Sequence, residues 1–576
     1  MAVSAREPTA QLDAEGLDRG IGFLGLLWAS ETSIIGSGWL FTALGAAVIA
    51  GPAAIIGWLL GSVIIILLAL VHAELGGLFP VSGGTSRFPH YAFGSFAGAT
   101  FGWASYLQAA SVAPIEVLAA IQYMSTAHWA RHFYVAHKVG PGTLSGTGIL
   151  AAVILMVIFV VLNLVGIRWL ARINGYITYW KIAIPVLTIL VLVIGHFHTG
   201  NFGSAGGGFF VHQGAFKTIL LTLPAGIIFS LLGFEQALQL GGEAANPGRD
   251  LPRAVIGSII IGAAVYILVQ VAFIGALSPH LLTSQGGWTK LGPTNANPTV
   301  VKLNAGPFFT IASLAGIGWL ATILRVDAVI SPGGTGLIYQ TSSSRLSFGL
   351  ARNGFIPTVF ESTNSRRVPV FGVVVAAIVG LLFLLPFPSW SELVNVVTDA
   401  SVLMYAAAPL AVAALRKQKP DLPRPYRLPA IGVLAPLAFV AASWTIIFAG
   451  WEIYTTLMVA MLIGYGLIGL SYAFKLNPRA PAMDWGSASW IAAYFIGMLI
   501  ISYLGDFGPG GIIGGIAPFQ HVLDKGGTDV IGIGGTLIAT ALWALIIYVW
   551  AINTRLPAAK VDEYVREVYP PPVTEE

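Results

Sequence analysis

The chain contains no cysteine, and only 9% of its 576 residues are charged. The first absence excludes disulfides, thiol nucleophiles and cysteine-ligated metals. The second excludes an ordinary water-soluble enzyme of this length. Charged residues make up about a quarter of a typical soluble chain, and a soluble surface cannot be covered with so few. A fold solvated by lipid can. The formal net charge is +4, but no clustered basic stripe of the kind that grips nucleic acid is present. No cleavable leader is expected either: residues 1–19 are polar, and no small-residue cleavage site follows the first apolar run.

What is abundant is apolar. Hydrophobic residues make up 56% of the chain and the mean hydropathy is +0.80. A helix needs about 20 apolar residues to cross a bilayer, and about fourteen such segments follow one another. They run roughly 20–48, 51–76, 95–125, 147–167, 172–195, 216–240, 253–277, 308–343, 369–387, 390–415, 429–449, 451–474, 487–504 and 529–552. The eighth is long and interrupted by Ser331-Pro332-Gly333-Gly334, which leaves room for a re-entrant piece before the span. With a cytoplasmic N-terminus, 21 of the 29 lysines and arginines fall in inner loops and tails and 6 in outer loops, while Lys181 and Arg325 lie inside segments. That asymmetry predicts both termini in the cytoplasm of a multi-pass protein of the cell membrane. No soluble domain is visible, and the tail after Asn553, ending Pro570–Glu576, is expected to be disordered.

Two segments carry helix-breaking residues at mid-depth. Segment one reads Ile34-Ile35-Gly36-Ser37-Gly38-Trp39, and glycine pairs are poor helix material. Unwound backbone at that depth is tolerated only where it is buried in protein or lines a cavity; taken alone, the same glycines fit helix–helix packing as well. Segment six reads Pro224-Ala225-Gly226 through Phe229-Ser230-Leu231-Leu232-Gly233-Phe234-Glu235. The two are five segments apart, so they occupy corresponding places in two five-helix halves, the pattern of an inverted-repeat transporter. The halves are 20–195 and 216–415, flanked by a tail at 1–19, four additional helices at 429–552 and a second tail at 553–576. Free N–H groups at Gly36, Ser37 and Gly38 would face an anionic group such as an α-carboxylate. Carbonyls freed around Ala29, Ser30, Phe229 and Ser230 would accept from an α-ammonium.

Several blocks in series resemble the amino acid–polyamine–organocation transporter superfamily. They are Ile34–Trp39, Ala73-Glu74-Leu75-Gly76 through Phe79-Pro80-Val81-Ser82-Gly83-Gly84, Gly233-Phe234-Glu235, and Glu243 through Ala254. Ser344-Arg345, Ala351-Arg352-Asn353-Gly354-Phe355-Ile356-Pro357 and Lys419 through Arg427 continue the match. Ile35–Phe41 and Arg87-Phe88-Pro89-His90-Tyr91 look most like the bacterial aspartate–proton symporter branch. The resemblance implies an all-α LeuT-type fold with a 5+5 inverted repeat, broken first and sixth helices and alternating access. It also implies that Ile35, Gly36, Ser37 and Gly38 receive the substrate carboxylate, and that Phe229, Ser230, Gly233 and Glu235 surround the amino group. The superfamily usually has twelve spans, so the pair at 487–552 is an addition.

Charge inside a bilayer is costly, so each ionisable residue there is a functional candidate. Proton-coupled relatives are similar around Lys181, with an Asn (here Asn174) seven residues before a buried Lys near the first broken helix. A lysine withdrawn from water can exchange its proton during a cycle; the alternative is a fixed counter-charge bracing the unwound backbone. Glu235 is either a proton-sensitive group or a cap on the second half-helix of segment six. Arg325 either meets the side chain of an acidic substrate bidentately or snorkels to the outer surface. Asp327 is a candidate for side-chain recognition or a partner for Arg325, and Glu116 either faces the pocket or packs. Phe229 is the best candidate for an occluding gate. His128, His132 and His137 lack a convincing zinc spacing, so no metal is expected.

No Ser–His–Asp set, HExxH motif or paired aspartates lie in the segments, so neither enzymatic activity nor a cofactor is expected. Pore rings of a channel and a signalling domain of a receptor are also missing. The sequence points to a secondary active transporter: proton-coupled symport of a small zwitterionic or acidic amino acid. An amino acid or amine exchanger of the same fold is the alternative. The expected partners are the amino acid, protons and the lipid bilayer.

Overall fold

A computed structural model describes residues 19–135, 142–164, 167–211, 215–384, 390–507 and 526–568, with backbone alone for 167–174, 392 and 567–568. Residues 1–18 and 569–576, His137, Lys138, Lys525 and the side chain of Asn174 therefore lie outside the described residues. Within them the chain is helical, apart from one short hairpin pairing Tyr134–Val135 with Thr143–Leu144 and two isolated bridges.

Ten of the described helices are long and apolar enough to cross a membrane. The other segments depart from that criterion for local reasons. Segment one is split into Phe23–Ile34 and Gly38–Ala50. Segment six is broken beyond Thr222. Segment eight is a continuous helix, Gly318–Arg352, whose many hydroxyls lower its hydropathy, and segment nine spans only Val370–Phe383. Where helices meet the outside they present aliphatic side chains at helical spacing: Leu150, Ile154, Val157 and Val161 on segment four, Ile538, Leu542 and Val549 on segment fourteen. Continuous apolar stripes of this extent suit lipid, not water.

Contacts sort the helix ends into two faces. Glu74 with Arg416, Ala92 with Leu556, Glu243 with Arg345 and Asp484 with Lys560 gather at the face where segment one begins. Ala53 with Phe209, His198 with Gly275, Lys217 with Asp506 and Trp451 with Phe507 gather at the opposite one. Segment three, Ser95–Met124, runs through the middle: its apolar stretch is wholly buried, and it packs along segment eight.

Two expectations change. The Ser331–Gly334 sequence does not interrupt segment eight; a separate short helix, Pro307–Leu314, precedes it, and the long helix continues past Pro332. Its glycine is used for approach instead. A Cβ on Gly334 would lie 2.7 Å from Ile177 and 3.4 Å from Lys181 Nζ, so segment five could not come as close to a larger residue. The tail is also ordered further than expected. Ala558–Val568 form a helix on the first face, where Tyr564 packs on His90 with ring centres 4.5 Å apart, and Lys419 and Lys560 pair with Asp562 and Asp484.

Candidate functional site

Segment one leaves the helix after Ile34 and resumes at Gly38. Segment six breaks twice. A π-turn over Leu223–Ile227 holds Gly226 at φ 143°, and after Leu231 the chain runs extended through Leu232, with Gly233 at φ 132°, before helix resumes at Glu235. Both angles are ones only glycine adopts without strain.

The breaks touch each other. A Cβ on Gly233 would lie 2.7 Å from the Ile34 nitrogen, and one on Gly38 would collide with the Ser230 hydroxyl. Ser30 Oγ donates to the Phe234 carbonyl at 3.1 Å and accepts from the Ala237 amide at 3.2 Å. The hydroxyls of Thr42 and Ser230 meet at 2.9 Å. A small cavity lies between them, bordered by Ser33, Gly36, Gly38, Glu116, Phe229 and Thr335.

The carbonyls available here are not all those expected. Ala29 and Ser30 lie within the first half-helix, and the Phe229 carbonyl is taken by Leu232 N–H at 3.1 Å. The groups turned sideways at the break are Thr32 and Ile34. Thr32 O accepts from Lys181 Nζ at 2.5 Å and from Thr335 Oγ1 at 2.7 Å, and Ile34 O accepts from the Tyr266 hydroxyl at 2.7 Å.

Among the amides, Gly36 N–H folds back onto Ile34 O at 3.1 Å. Ser37 N–H instead donates to Glu116 Oε2 at 2.8 Å, and the Ser37 hydroxyl donates to Glu116 Oε1 at 3.0 Å. A carboxylate of the chain itself therefore sits at the break of segment one. Ile35, within the break, is fully buried.

Lys181 is fully buried and also donates to Thr335 Oγ1 at 2.7 Å, so its ammonium joins segments one, five and eight. Glu116 and Asp327 are within electrostatic reach of it. Asp327 does not pair with Arg325. It accepts from Trp39 Nε1 at 3.1 Å, Trp180 Nε1 at 2.9 Å and Ser331 Oγ at 2.6 Å, which fastens the second half of segment one to segments five and eight. Arg325 turns away from the cavity, donating to the Thr126 carbonyl at 3.1 Å and lying over the Phe309 ring at 4.1 Å.

Glu235 is not on the cavity wall. Its carboxylate accepts from Gly233 N–H at 2.9 Å, Gln236 at 3.1 Å, Tyr339 at 2.8 Å and the Tyr405 hydroxyl. A carboxylate that saturated, in front of a half-helix, holds the break in shape. Phe229 does face the cavity and meets Trp390 edge-on at 5.9 Å. Trp390 also packs on Phe41 at 5.1 Å and donates its indole N–H to Ser37 Oγ at 2.8 Å. These rings close the side toward the opposite face.

Toward the first face the closure is ionic and main-chain. Arg345 pairs with Glu243 at 3.0 Å with both side chains buried, and the chain at Ile21 and Ser82 bridges to Ala244 and Leu240. Sequence reasoning missed Trp390, Thr335, Tyr266 and Tyr339. None carries a charge or sits in a motif, and only folding brings them to the breaks.

Residues 21–468 match the model of the amino acid permease family. The chain belongs to that family. This permease is 35% identical over 544 residues to the glutamate/serine transporter AimA of Bacillus subtilis (strain 168), covering 93% of its own length and 94% of the relative's. It is likewise 35% identical over 538 residues to the aspartate-proton symporter of the same organism, at 92% and 95% coverage. The branched-chain amino acid permease BcaP of Bacillus subtilis is more distant, 26% identical over 467 residues. Permeases move a solute rather than transform it, so the chain is a transporter and not an enzyme, and its apolar helices make it a multi-pass membrane protein.

Proposed function

We propose that this permease carries a small zwitterionic or acidic amino acid across the cell membrane together with a proton, by alternating access. The reading rests chiefly on one observation: the Lys181 ammonium is bonded to Thr32 O, beside a break in segment one that meets the break in segment six. A buried lysine at the substrate's doorstep is suited to exchange a proton with each cycle. Two relatives of the same length bear names that specify glutamate, serine or aspartate, and one of them a proton.

On this reading segments one to five (20–195) and six to ten (216–415) are inverted repeats of a LeuT-type fold. The four helices at 429–552 are additions, and both tails are cytoplasmic. The substrate carboxylate binds at Ile35, Gly36, Ser37 and Gly38, its amino group near Phe229, Ser230 and Gly233, with Glu235 bracing the site. Glu116 borders the pocket, while Arg325 and Asp327 act from outside it.

Uptake of radiolabelled glutamate, aspartate and serine into proteoliposomes tests the proposal. An inward proton gradient should drive accumulation above equilibrium with or without sodium. Flux that needs an internal amino acid and ignores the gradient would make the chain an exchanger; flux that follows sodium alone would remove Lys181 from coupling.

A further inference from the structure

The break of segment one is the place proposed for the substrate carboxylate, and a carboxylate already fills it. Glu116 projects from segment three, 79 residues away in sequence, and its two oxygens take the Ser37 amide at 2.8 Å and the Ser37 hydroxyl at 3.0 Å. The fit is tight: the point where Gly36 would carry a Cβ lies 2.8 Å from Glu116 Oε1 and 2.7 Å from Thr335 Oγ1. Thr335 Oγ1 is in turn 2.7 Å from Lys181 Nζ. Glu116 borders the cavity itself, fully enclosed. Two bonds from one residue to both carboxylate oxygens are what a bound amino acid would be expected to make there, since a helix start offers free N–H groups and a favourable dipole.

We propose that Glu116 is a tethered stand-in for the substrate's carboxylate, and that it vacates Ser37 only when the Glu116–Lys181 pair takes up a proton. The proposal rests on the reading above, that Gly36–Gly38 receives a carboxylate. Two carboxylates cannot share one amide and one hydroxyl donor, and like charges at that distance repel strongly in a dry interior. A proton from the medium forms an O–H bond on Glu116 and cancels its charge. The acid then no longer competes for the Ser37 donors, and the substrate carboxylate takes its place. When the substrate leaves, loss of the proton lets Glu116 return.

Substrate and proton thus bind together, as symport requires. The titratable groups facing Glu116 are Lys181 on segment five, Tyr266 on segment seven and Tyr339 on segment eight, and Asp327 acts on Lys181. Lys181 and Glu116 are close enough to titrate as one unit, so the proton belongs to the pair.

The test uses the purified full chain in lipid nanodiscs, with glutamate, aspartate and serine as probes and calorimetry at a series of pH values. Wild-type affinity should fall about tenfold per pH unit on the alkaline side, one proton entering with each substrate. Glu116→Gln should bind with the wild type's acid-side affinity at every pH. Substrate added to wild type should release a pH-indicator signal for proton uptake and an infrared carboxylic C=O band, both missing from Glu116→Gln. Glu116→Ala, which removes the competing carboxylate altogether, should likewise lose the alkaline-side fall in affinity and serves if Glu116→Gln does not fold. An unchanged pH slope in Glu116→Gln, or loss of binding at all pH values in a folded variant, overturns the proposal. If wild type binds none of the three probes, the substrate reading fails on its own. The acid-minus-alkaline infrared spectrum then decides: a carboxyl band lost in Glu116→Gln supports the proposal, and an identical spectrum overturns it.

Discussion

Lys181 and Thr335 are hydrogen-bonded at 2.7 Å, and both reach the carbonyl of Thr32, the last turn before segment one breaks. One ammonium therefore ties the first half-helix of segment one to segments five and eight. Lys181→Met should abolish accumulation driven by a proton gradient while leaving counterflow of labelled amino acid measurable. If gradient-driven accumulation persists in the variant, the lysine is only a brace.

Gly233 is the tightest point of the crossing between the two breaks, at φ 132° with the Ile34 nitrogen 2.7 Å from where a Cβ would stand. Gly233→Ala should cost about 1–3 kcal/mol from backbone strain alone, and more from the clash. Gly175→Ala, with open space around it, serves as the control. Melting of the two purified variants should separate them by several degrees.

Trp390 closes the cavity toward the opposite face through Phe229, Phe41 and Ser37. Trp390→Ala should leave that side open, raising reactivity of a cysteine placed at Ser37, while Trp390→Phe keeps most of the ring packing and loses the indole bond. Because the chain has no cysteine, a single introduced one reports without background. Equal labelling rates in Trp390→Ala and its parent would remove the tryptophan from gating.

The buried Arg345–Glu243 pair holds the first face shut at 3.0 Å. Removing one partner of such a pair typically costs about 3–5 kcal/mol, because the other charge is left buried alone. Arg345→Ala should therefore melt earlier and should expose a cysteine at Ser82 to reagent from the first face. Replacing both partners by apolar residues should recover most of the stability.

At the first face the tail helix packs on His90, whose imidazole is pushed down from 6.5 to about 4 by burial, and secondarily by the Arg87 guanidinium. The docked form keeps the ring neutral, whereas an undocked, wetted ring takes a proton below about 6.5. Docking should thus weaken as pH falls from 6.5 toward 4, seen as faster proteolysis within 553–568. His90→Phe should make the rate insensitive to pH over that window.

How much of this was legible in the sequence follows from what each signal needs. Gly36-Ser37-Gly38 and Lys181 stand out because glycine pairs and charges are rare at mid-membrane depth, and neither signal depends on a distant partner. The role of Glu116 was hidden because its partner is Ser37, on a different helix. Arg325 and Asp327 are not helical i,i+4 neighbours, so the sequence already left them free not to pair. Two positions apart on a helix they point to different sides, and the indoles of Trp39 and Trp180 were invisible as donors. The Ser331–Gly334 run carries the same residues that break segment one, yet here they admit Ile177 and Lys181 closely while the helix continues. Composition alone does not distinguish a gap from a contact. The tail helix at 558–568 was missed because its support comes from Asp484, His90 and Lys419, far away in the chain.

The carboxylate that Glu116 lodges at Ser37 also bears on the half of the cycle in which nothing is carried. A carrier that must fill its site from the medium before turning round can only swap one solute for another. One that fills it with its own side chain can travel back unladen, with the site neither dehydrated and bare nor blocked. Net uptake, and not tit-for-tat trade, is the transport mode that such an arrangement permits, and its speed would be set by how quickly Glu116 reseats after the solute departs.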